Sequence, residues 1–350
     1  MSKDMKAFIG KPIEGLPIVD VLHPNFGITE SDHIGYYRVL VHEEIFHLVD
    51  RPEDADCLIF PHNLNSIKDN SSYIRSFEDI SLRLKKKILV FFPGDSDEPV
   101  EIKNCIVFRN SQYKGKAARN EIMMPGYVSD LSISLDIAAI DKKRDIPVIG
   151  FCGWADFKTK IEYIKYALKT LVMRIRLFFG KGFDKTRIKG IWWRRKIINM
   201  LRGSRLCGTD FIIRKSYSGA NRTMIGDPLK LRQEYIENIL NSDLSLCIKG
   251  DGNFSTRFFE VLSLGKIPLF IDTDCILPLE DIIDYSSFMV RVDWKDIGLL
   301  DKIALDWYKG ISDARFKEMQ ALSRRAFEEK LGFESFIKYV FESGYIDRYF

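Results

Sequence analysis

The sequence predicts an α/β protein built from two domains. Three observations carry that reading. Short apolar runs alternate with stretches of helical periodicity in both halves of the chain. At 350 residues, the chain is longer than one hydrophobic core usually organises. A polar stretch near the middle, AAIDKKRDIP, is followed at once by a fresh apolar run.

In the first half the apolar segments 18–22, 57–60, 87–92 and 105–108 are expected strands. Between the second and third, residues 73–84 repeat apolar positions at helical spacing. Strands separated by helices imply βαβ units and a parallel sheet. The boundary is expected near 138–147. In the second half 243–248, 267–271 and 288–292 read as strands, 255–264 as a helix, and 313–343 as a strongly helical tail. Two α/β halves with a cleft between them follow, with ligands expected beyond the carboxyl ends of the strands.

Composition excludes several function classes. With 46% hydrophobic and 13% aromatic residues, the chain can build real cores, which rules out a disordered protein. No eighteen-residue apolar run exists to span a bilayer, and the first thirty residues hold no signal-like apolar core. Cys57, Cys105, Cys152, Cys207, Cys247 and Cys275 are scattered and mostly set in apolar strings, the pattern of reduced buried thiols in a cytoplasmic protein. No CxxC pair occurs and all five histidines precede residue 63, so no metal site is expected.

The net charge of +4 conceals a local excess. Residues 158–205 hold fifteen Lys or Arg against Glu162 and Asp184, a net of +13, leaving −9 for the remainder. Ile161, Ile164, Leu168, Leu171, Ile175 and Phe178 recur at helical spacing, Gly180 and Gly182 interrupt, and Trp192-Trp193-Arg194-Arg195-Lys196 resumes. A basic amphipathic hairpin of this kind fits an anionic membrane surface. A solvated basic face whose apolar stripe packs on its own domain fits equally well. Nucleic acid is not expected as a partner, since no recognised nucleic-acid module accompanies the charge.

The densest chemistry lies between Ser242 and Asp296. A strand ends at Ile248, the loop Lys249-Gly250-Asp251-Gly252-Asn253 follows, and a helix opens near Ser255. Small residues let backbone approach a ligand, and a helix N-terminus presents free N–H groups with partial positive charge. Asn253 or Ser255 could cap the helix. Arg257 in its first turn adds a permanent forked cation, a combination suited to a diphosphate. Glu260, three residues on, is an acceptor-only carboxylate suited to ribose hydroxyls; an intrahelical Arg257–Glu260 ion pair is the alternative. The loop is neither GxxxxGK[ST] nor a full GxGxxG fingerprint, because Ser255 stands at the last glycine.

The run CIKGDGNFSTRFFEVLSLGKIPLFIDTDCILP resembles the signature core of exostosin-like glycosyltransferases: a Gly-containing loop, S-x-R-x-x-E, then G-[KRC]-I-P and an apolar strand. The resemblance is close from about 212 to 296, Arg214 and Tyr217 included, and looser in the first half, in DADCLIFPHNL and KKILVFFPGDSD. It implies a GT-B architecture of two Rossmann-like domains facing across a cleft, here with a basic helical insertion in the second. Residues 1–140 would form the acceptor-binding domain and 141–325 the nucleotide-sugar domain, with 158–205 as its insertion. Residues 326–350 would form a C-terminal helix packing back toward the first domain. Carried over by position, Ser255, Thr256 and Arg257 would meet the diphosphate and Glu260 the ribose. Gly250, Gly252 and Asn253 would shape the loop, with Arg214 and Lys249 as further phosphate cations.

The implied donor is a nucleotide-diphosphate sugar, UDP-linked by expectation, and the acceptor a saccharide or lipid-linked saccharide. The chain shows neither the amino-terminal anchor nor the second catalytic domain of animal members, and an Asn-Phe-Ser sequon sits at Asn253 inside the donor loop. Both point to a cytoplasmic, bacterial-type enzyme of surface polysaccharide synthesis (lipopolysaccharide or capsule), peripheral at the inner face of the plasma membrane. Transfer with inversion needs a general base from the first domain. Asp95, in the FPGDSD loop, is the first candidate, followed by His62 and Asp97; each could instead be a turn or backbone-bonding residue. Asp272-Thr273-Asp274 resembles a metal-binding DxD, yet the GT-B likeness implies metal-independent transfer and a loop role for these residues. A non-catalytic carbohydrate- or membrane-binding protein that keeps the fold is the alternative function.

Overall fold

The computed structural model describes residues 5–28, 41–133, 144–157, 159–181, 185–216 and 225–350. Tyr217, Lys158 and most of the expected boundary stretch lie outside them. Two compact units emerge, each a parallel α/β sheet: Met1–Ser129 with Ile276–Ile282 and Phe327–Phe350, and Asp130–Cys275 with Ile283–Ala326. The division falls at Ser129, eleven residues before the expected 140, and the C-terminal segment groups with the first unit. Two parallel sheets are the pair of Rossmann-like domains that the GT-B class requires.

The first unit runs β1 (Met5–Phe8), β2 (Phe46–Leu48), β3 (Cys57–Ile59), α1 (Leu64–Ile67), α2 (Ser71–Leu84), β4 (Ile88–Phe92), β5 (Cys105–Arg109) and β6 (Glu121–Met123). Its sheet order is β2-β1-β3-β4-β5-β6, with every pairing parallel. Strands β4 and β5 are buried at all five positions, as continuous apolar runs in the middle of a parallel sheet should be. Helix α2 begins where the Asn70 side chain accepts from the Tyr73 amide and ends at Lys85 in a left-handed conformation. It buries Phe77 against Phe60, ring centroids 4.7 Å apart.

The expected strand 18–22 is not one. Asp20–Leu22 is a 3₁₀ turn, buried but outside the ladder. Pro17 and Pro24 bracket the segment and disfavour a continuous ladder. Strands β1, β2 and β6 went unexpected because three or four residues are too short for periodicity to register.

The second unit runs β7 (Val148–Trp154), α3 (Lys160–Lys181), α4 (Gly190–Arg202), β8 (Gly208–Arg214), α5 (Pro228–Asn241), β9 (Leu244–Cys247), α6 (Thr256–Ser263), β10 (Ile267–Asp272), β11 (Val290–Asp293), α7 (Leu300–Gly310) and α8 (Asp313–Ala326). Its parallel sheet has the order β11-β10-β9-β7-β8. A π-helical turn, Phe327–Leu331, and α9 (Phe333–Glu342) then return the chain to the first unit, where Phe341 packs on Phe46 and Phe108.

Leu246, Leu269, Ile271 and Val290 from the strands pack with Trp193, Ile197, Ile198 and Leu201 of α4 in one buried cluster. That corrects half of the membrane-hairpin expectation: α4 spends its apolar stripe on its own domain. Helix α3 does not, as described below. Among the described residues no helix is long and apolar enough to cross a membrane.

Candidate donor site

The site is built at the carboxyl end of β9. Five buried or half-buried contacts hold the loop after it. The Gly250 amide donates to the Phe254 carbonyl (3.0 Å), and Gly190 at the start of α4 donates to the Gly250 carbonyl (3.1 Å). Arg194 donates to the Lys249 carbonyl (3.0 Å). Thr273 donates to Asn253 Oδ1 (2.6 Å), and the Cys275 thiol donates to the Asn253 carbonyl (3.0 Å). Asn253 is wholly buried, so the sequon in this loop is inaccessible in the folded chain.

Gly190 is required for close approach. A Cβ there would lie 2.2 Å from the Lys249 carbonyl oxygen and 2.4 Å from that of Gly250, and backbone cannot swing aside like a side chain.

Ser255 is the N-cap of α6 in extended conformation, and its side chain makes no capping bond. The first-turn N–H groups of α6 are therefore not closed off by a hydroxyl, the arrangement in which a helix N-terminus serves an anion.

Arg257 is the centre of the site. It is 9% exposed and lies between two rings, with its guanidinium carbon 4.4 Å from the centroid of Tyr235 and 4.8 Å from that of Phe151. Nη2 donates to the Cys152 carbonyl, while Nη1 is buried without a hydrogen-bond partner among the described residues. Burial opposes its charge, but the neighbouring phenol, thiols and Glu260 outweigh it and raise its pKa, so Arg257 stays cationic. A buried, charged nitrogen left unsatisfied costs on the order of 1–3 kcal/mol, a deficit an anionic ligand would remove.

Glu260 does not pair with Arg257. Arg232 of α5 meets one of its carboxylate oxygens at 3.0 Å, and the Tyr235 hydroxyl donates to the other. Burial above all, with Glu260 adding to it, holds the Tyr235 pKa well above its ordinary value, so the phenol keeps the proton it donates. Tyr235 and Arg232 escaped the sequence reading: both lie more than twenty positions before Glu260, on a helix without any motif.

The two further cations are otherwise engaged. Lys249, 2% exposed, donates to the Thr186 carbonyl at 2.8 Å. Arg214 at the end of β8 donates to the Leu231 carbonyl (2.7 Å) and lies 3.4 Å from Glu234. These contacts make them struts between the donor loop, α5 and their surroundings. Thr256 is half-buried in the first turn of α6, and Gly250 and Gly252 lie in the loop before it.

Asp272 gives Oδ2 to Arg291 at 2.8 Å and accepts the Cys275 amide on Oδ1 at 2.8 Å, while Asp274 is exposed with φ of 65°. Both oxygens of Asp272 are thus engaged, one in the turn and one with β11. Among the described residues no group of three or more His, Cys, Asp or Glu could hold a metal ion.

In the first unit, the loop after β4 carries Asp95 and Asp97. Arg109, fully buried, pairs with Glu121 and donates to the Ser96 carbonyl at 2.7 Å, and Asn110 accepts the Gly94 amide at 3.1 Å. Asp95 is exposed. Asp97 lies 3.3 Å from Lys116 and lines a cavity of about 280 Å³ with Gln112, Lys116, Asn120 and Glu121. His62 is fully buried with both ring nitrogens within 2.8 Å of backbone, Nδ1 at the Pro17 carbonyl and Nε2 at the Ile13 amide. It anchors the 13–17 loop.

The exostosin GT47 domain matches residues 178–305, which include Arg214, Arg232, Tyr235, the 249–253 loop, Arg257 and Glu260. Over 69 residues, 20% of the chain, the sequence is 36% identical to a probable glucuronosyltransferase 47 A of Physcomitrium patens and to a probable β-1,4-xylosyltransferase IRX10L of Arabidopsis thaliana. The match covers only 15% and 17% of those relatives' lengths. Among solved structures, Anabaena Alr3699/HepE in complex with UDP-glucose aligns over 97% of this chain and 100% of that one, with 9% identity and a TM-score of 0.38. A glycosyltransferase from Rickettsia africae aligns over 82% and 80%, with 11% identity and a TM-score of 0.36. Both structural likenesses are distant. Over residues 178–305 the chain is thus similar to exostosin-like glycosyltransferases.

Proposed function

We propose that the protein is a glycosyltransferase that takes a sugar from a nucleotide diphosphate, UDP by expectation, and passes it to a saccharide acceptor. The observation that carries this is Arg257: a buried cation with an unpartnered nitrogen, in the first turn of a helix whose N-cap side chain makes no capping bond. In the reaction the bond from the anomeric carbon to the diphosphate oxygen breaks as a bond to the acceptor oxygen forms. Arg257 and the α6 N-terminus take up the charge developing on the departing diphosphate. Glu260, held by Arg232 and Tyr235, receives the ribose hydroxyls. A first-unit carboxylate, Asp95 by preference, accepts the acceptor's proton, so that the anomeric centre inverts. The engaged oxygens of Asp272 favour transfer without a metal ion.

Assembly of a cell-surface polysaccharide in the cytoplasm, on a free or lipid-linked acceptor, is the setting that this reading implies. A non-catalytic carbohydrate-binding protein is disfavoured by the same guanidinium, since a scaffold without an anionic ligand has no use for an unsatisfied buried charge. The test is thermal unfolding with UDP, GDP, dTDP, CMP and their common sugar conjugates, with and without magnesium. Selective stabilisation by one diphosphate series supports the proposal. Stabilisation by CMP alone, or by none of the panel, contradicts it.

A further inference from the structure

Helix α3 turns the wrong face outward. A surface helix ordinarily buries its apolar stripe and shows water its polar side. Here Tyr166, Thr170 and Met173 face the domain: Thr170 accepts from the Trp192 indole at 2.8 Å, Tyr166 packs on Trp154 and Phe157, and Met173 packs on the core. Ile164, Leu168, Leu171, Val172, Ile175 and Phe179 are all exposed, from 47% at Ile175 to 82% at Phe179. At 100° per residue these six, with Ile161 and Phe178, fall within an arc of roughly 120°. Isolated apolar residues on a surface are ordinary, but a continuous stripe marks a contact face.

Charge says what the stripe meets. Lys165, Lys169 and Arg176 border it along one edge and Lys160 and Arg174 along the other, all exposed. The helix as a whole carries six Lys or Arg against Glu162. At 22 residues it is roughly 33 Å long. An apolar ridge flanked on both sides by cations is the cross-section of a helix lying in the plane of an anionic bilayer. A second copy of this chain is a poor occupant, because face-to-face packing would bring two basic rims together.

We propose that α3 docks the protein on an anionic phospholipid surface, with its stripe inserted at the headgroup boundary and its basic edges on lipid phosphates. This stands independently of the donor-site reading. Helix α4, whose apolar residues fill the core, is the mount and not the contact.

The test is co-sedimentation of the full chain with phosphatidylcholine vesicles and with phosphatidylcholine–phosphatidylglycerol vesicles at about 7:3. The unmodified chain should pellet with the anionic vesicles, and less so as salt rises. L168S/I175S/F179S should lower the bound fraction about tenfold with the thermal unfolding midpoint unchanged. K165Q/K169Q/R176Q should abolish the preference for anionic lipid. Phe179→Ser alone, at the most exposed site, serves if the triple variant unfolds, and should still reduce binding. Equal pelleting by the serine variants, or none by the unmodified chain, overturns the proposal. So does a dimer in sedimentation velocity that the serine variants dissolve, since that would assign the face to a second copy.

Discussion

The ring of Tyr235 lies 4.4 Å from the guanidinium carbon of Arg257, and the same residue's hydroxyl donates to Glu260. One aromatic side chain on α5 thus positions both the cation and the carboxylate of α6. Tyr235→Phe should keep the ring under Arg257 but remove a hydrogen bond to an ionised group. Arg232 still holds the other carboxylate oxygen, so nucleotide affinity should fall by about 0.5–1.5 kcal/mol. Tyr235→Leu should lose more, because the cation–π contact goes too. Calorimetric titration of both variants distinguishes these terms; equal affinities would show that the hydroxyl does not position Glu260.

Gly190 ties α4 to the donor loop. Gly190→Ala places a methyl group against two carbonyl oxygens at 2.2 and 2.4 Å, so the loop must shift. The cost should be about 1–3 kcal/mol in unfolding free energy, despite alanine's better helix propensity, with nucleotide affinity falling alongside. Urea denaturation checks the first and titration the second. A more stable Gly190→Ala variant would mean that the α4–loop contact is looser than described.

Asp95 separates catalysis from donor binding. Asp95→Asn removes the proposed proton acceptor while keeping its shape. Sugar transfer should drop about 10²- to 10⁴-fold with donor affinity unchanged. Rates unchanged in Asp95→Asn but lost in Asp97→Asn would move the base to the residue beside Lys116.

Lys266, 2% exposed, has its pKa pushed down by burial to about 8 from an ordinary 10.5, with Asp243 opposing and Arg144 assisting. Between those values the unfolded chain binds a proton that the folded chain does not. Its contribution to stability therefore rises as pH climbs from about 8 to 10.5, and the burial cost is fully present below that window. Against Lys266→Met, the stability difference should narrow across this range by up to about 3 kcal/mol. Urea denaturation of both proteins at several pH values checks it; parallel curves would contradict the burial argument.

Much of the candidate site's local structure was legible in the sequence because its signals are local. The strand, glycine-containing loop and helix at 243–264 each follow from turn chemistry and periodicity, and Arg257 and Glu260 share one short helix. What holds that pair is not local. Tyr235 and Arg232 reach Glu260 through tertiary packing, which no spacing rule encodes. Charge counting did not separate the two helices of 158–205: the basic total hid the inward stripe Trp193, Ile197 and Leu201 that makes α4 part of the core. Lys249 and Arg214 entered as further phosphate cations through the family resemblance, and spacing gave no sign of the carbonyls they hold. Their carbonyl partners, Thr186 and Leu231, lie far off in sequence.

The central claim is that Arg257 receives a nucleotide diphosphate. Isothermal titration of the unmodified chain and of Arg257→Ala with UDP and UDP-sugars, in the presence of a metal chelator, tests it most directly. Binding should persist in chelator and weaken in Arg257→Ala by about 1.5–3 kcal/mol, roughly 10- to 150-fold. Equal affinity of the two proteins would contradict the account.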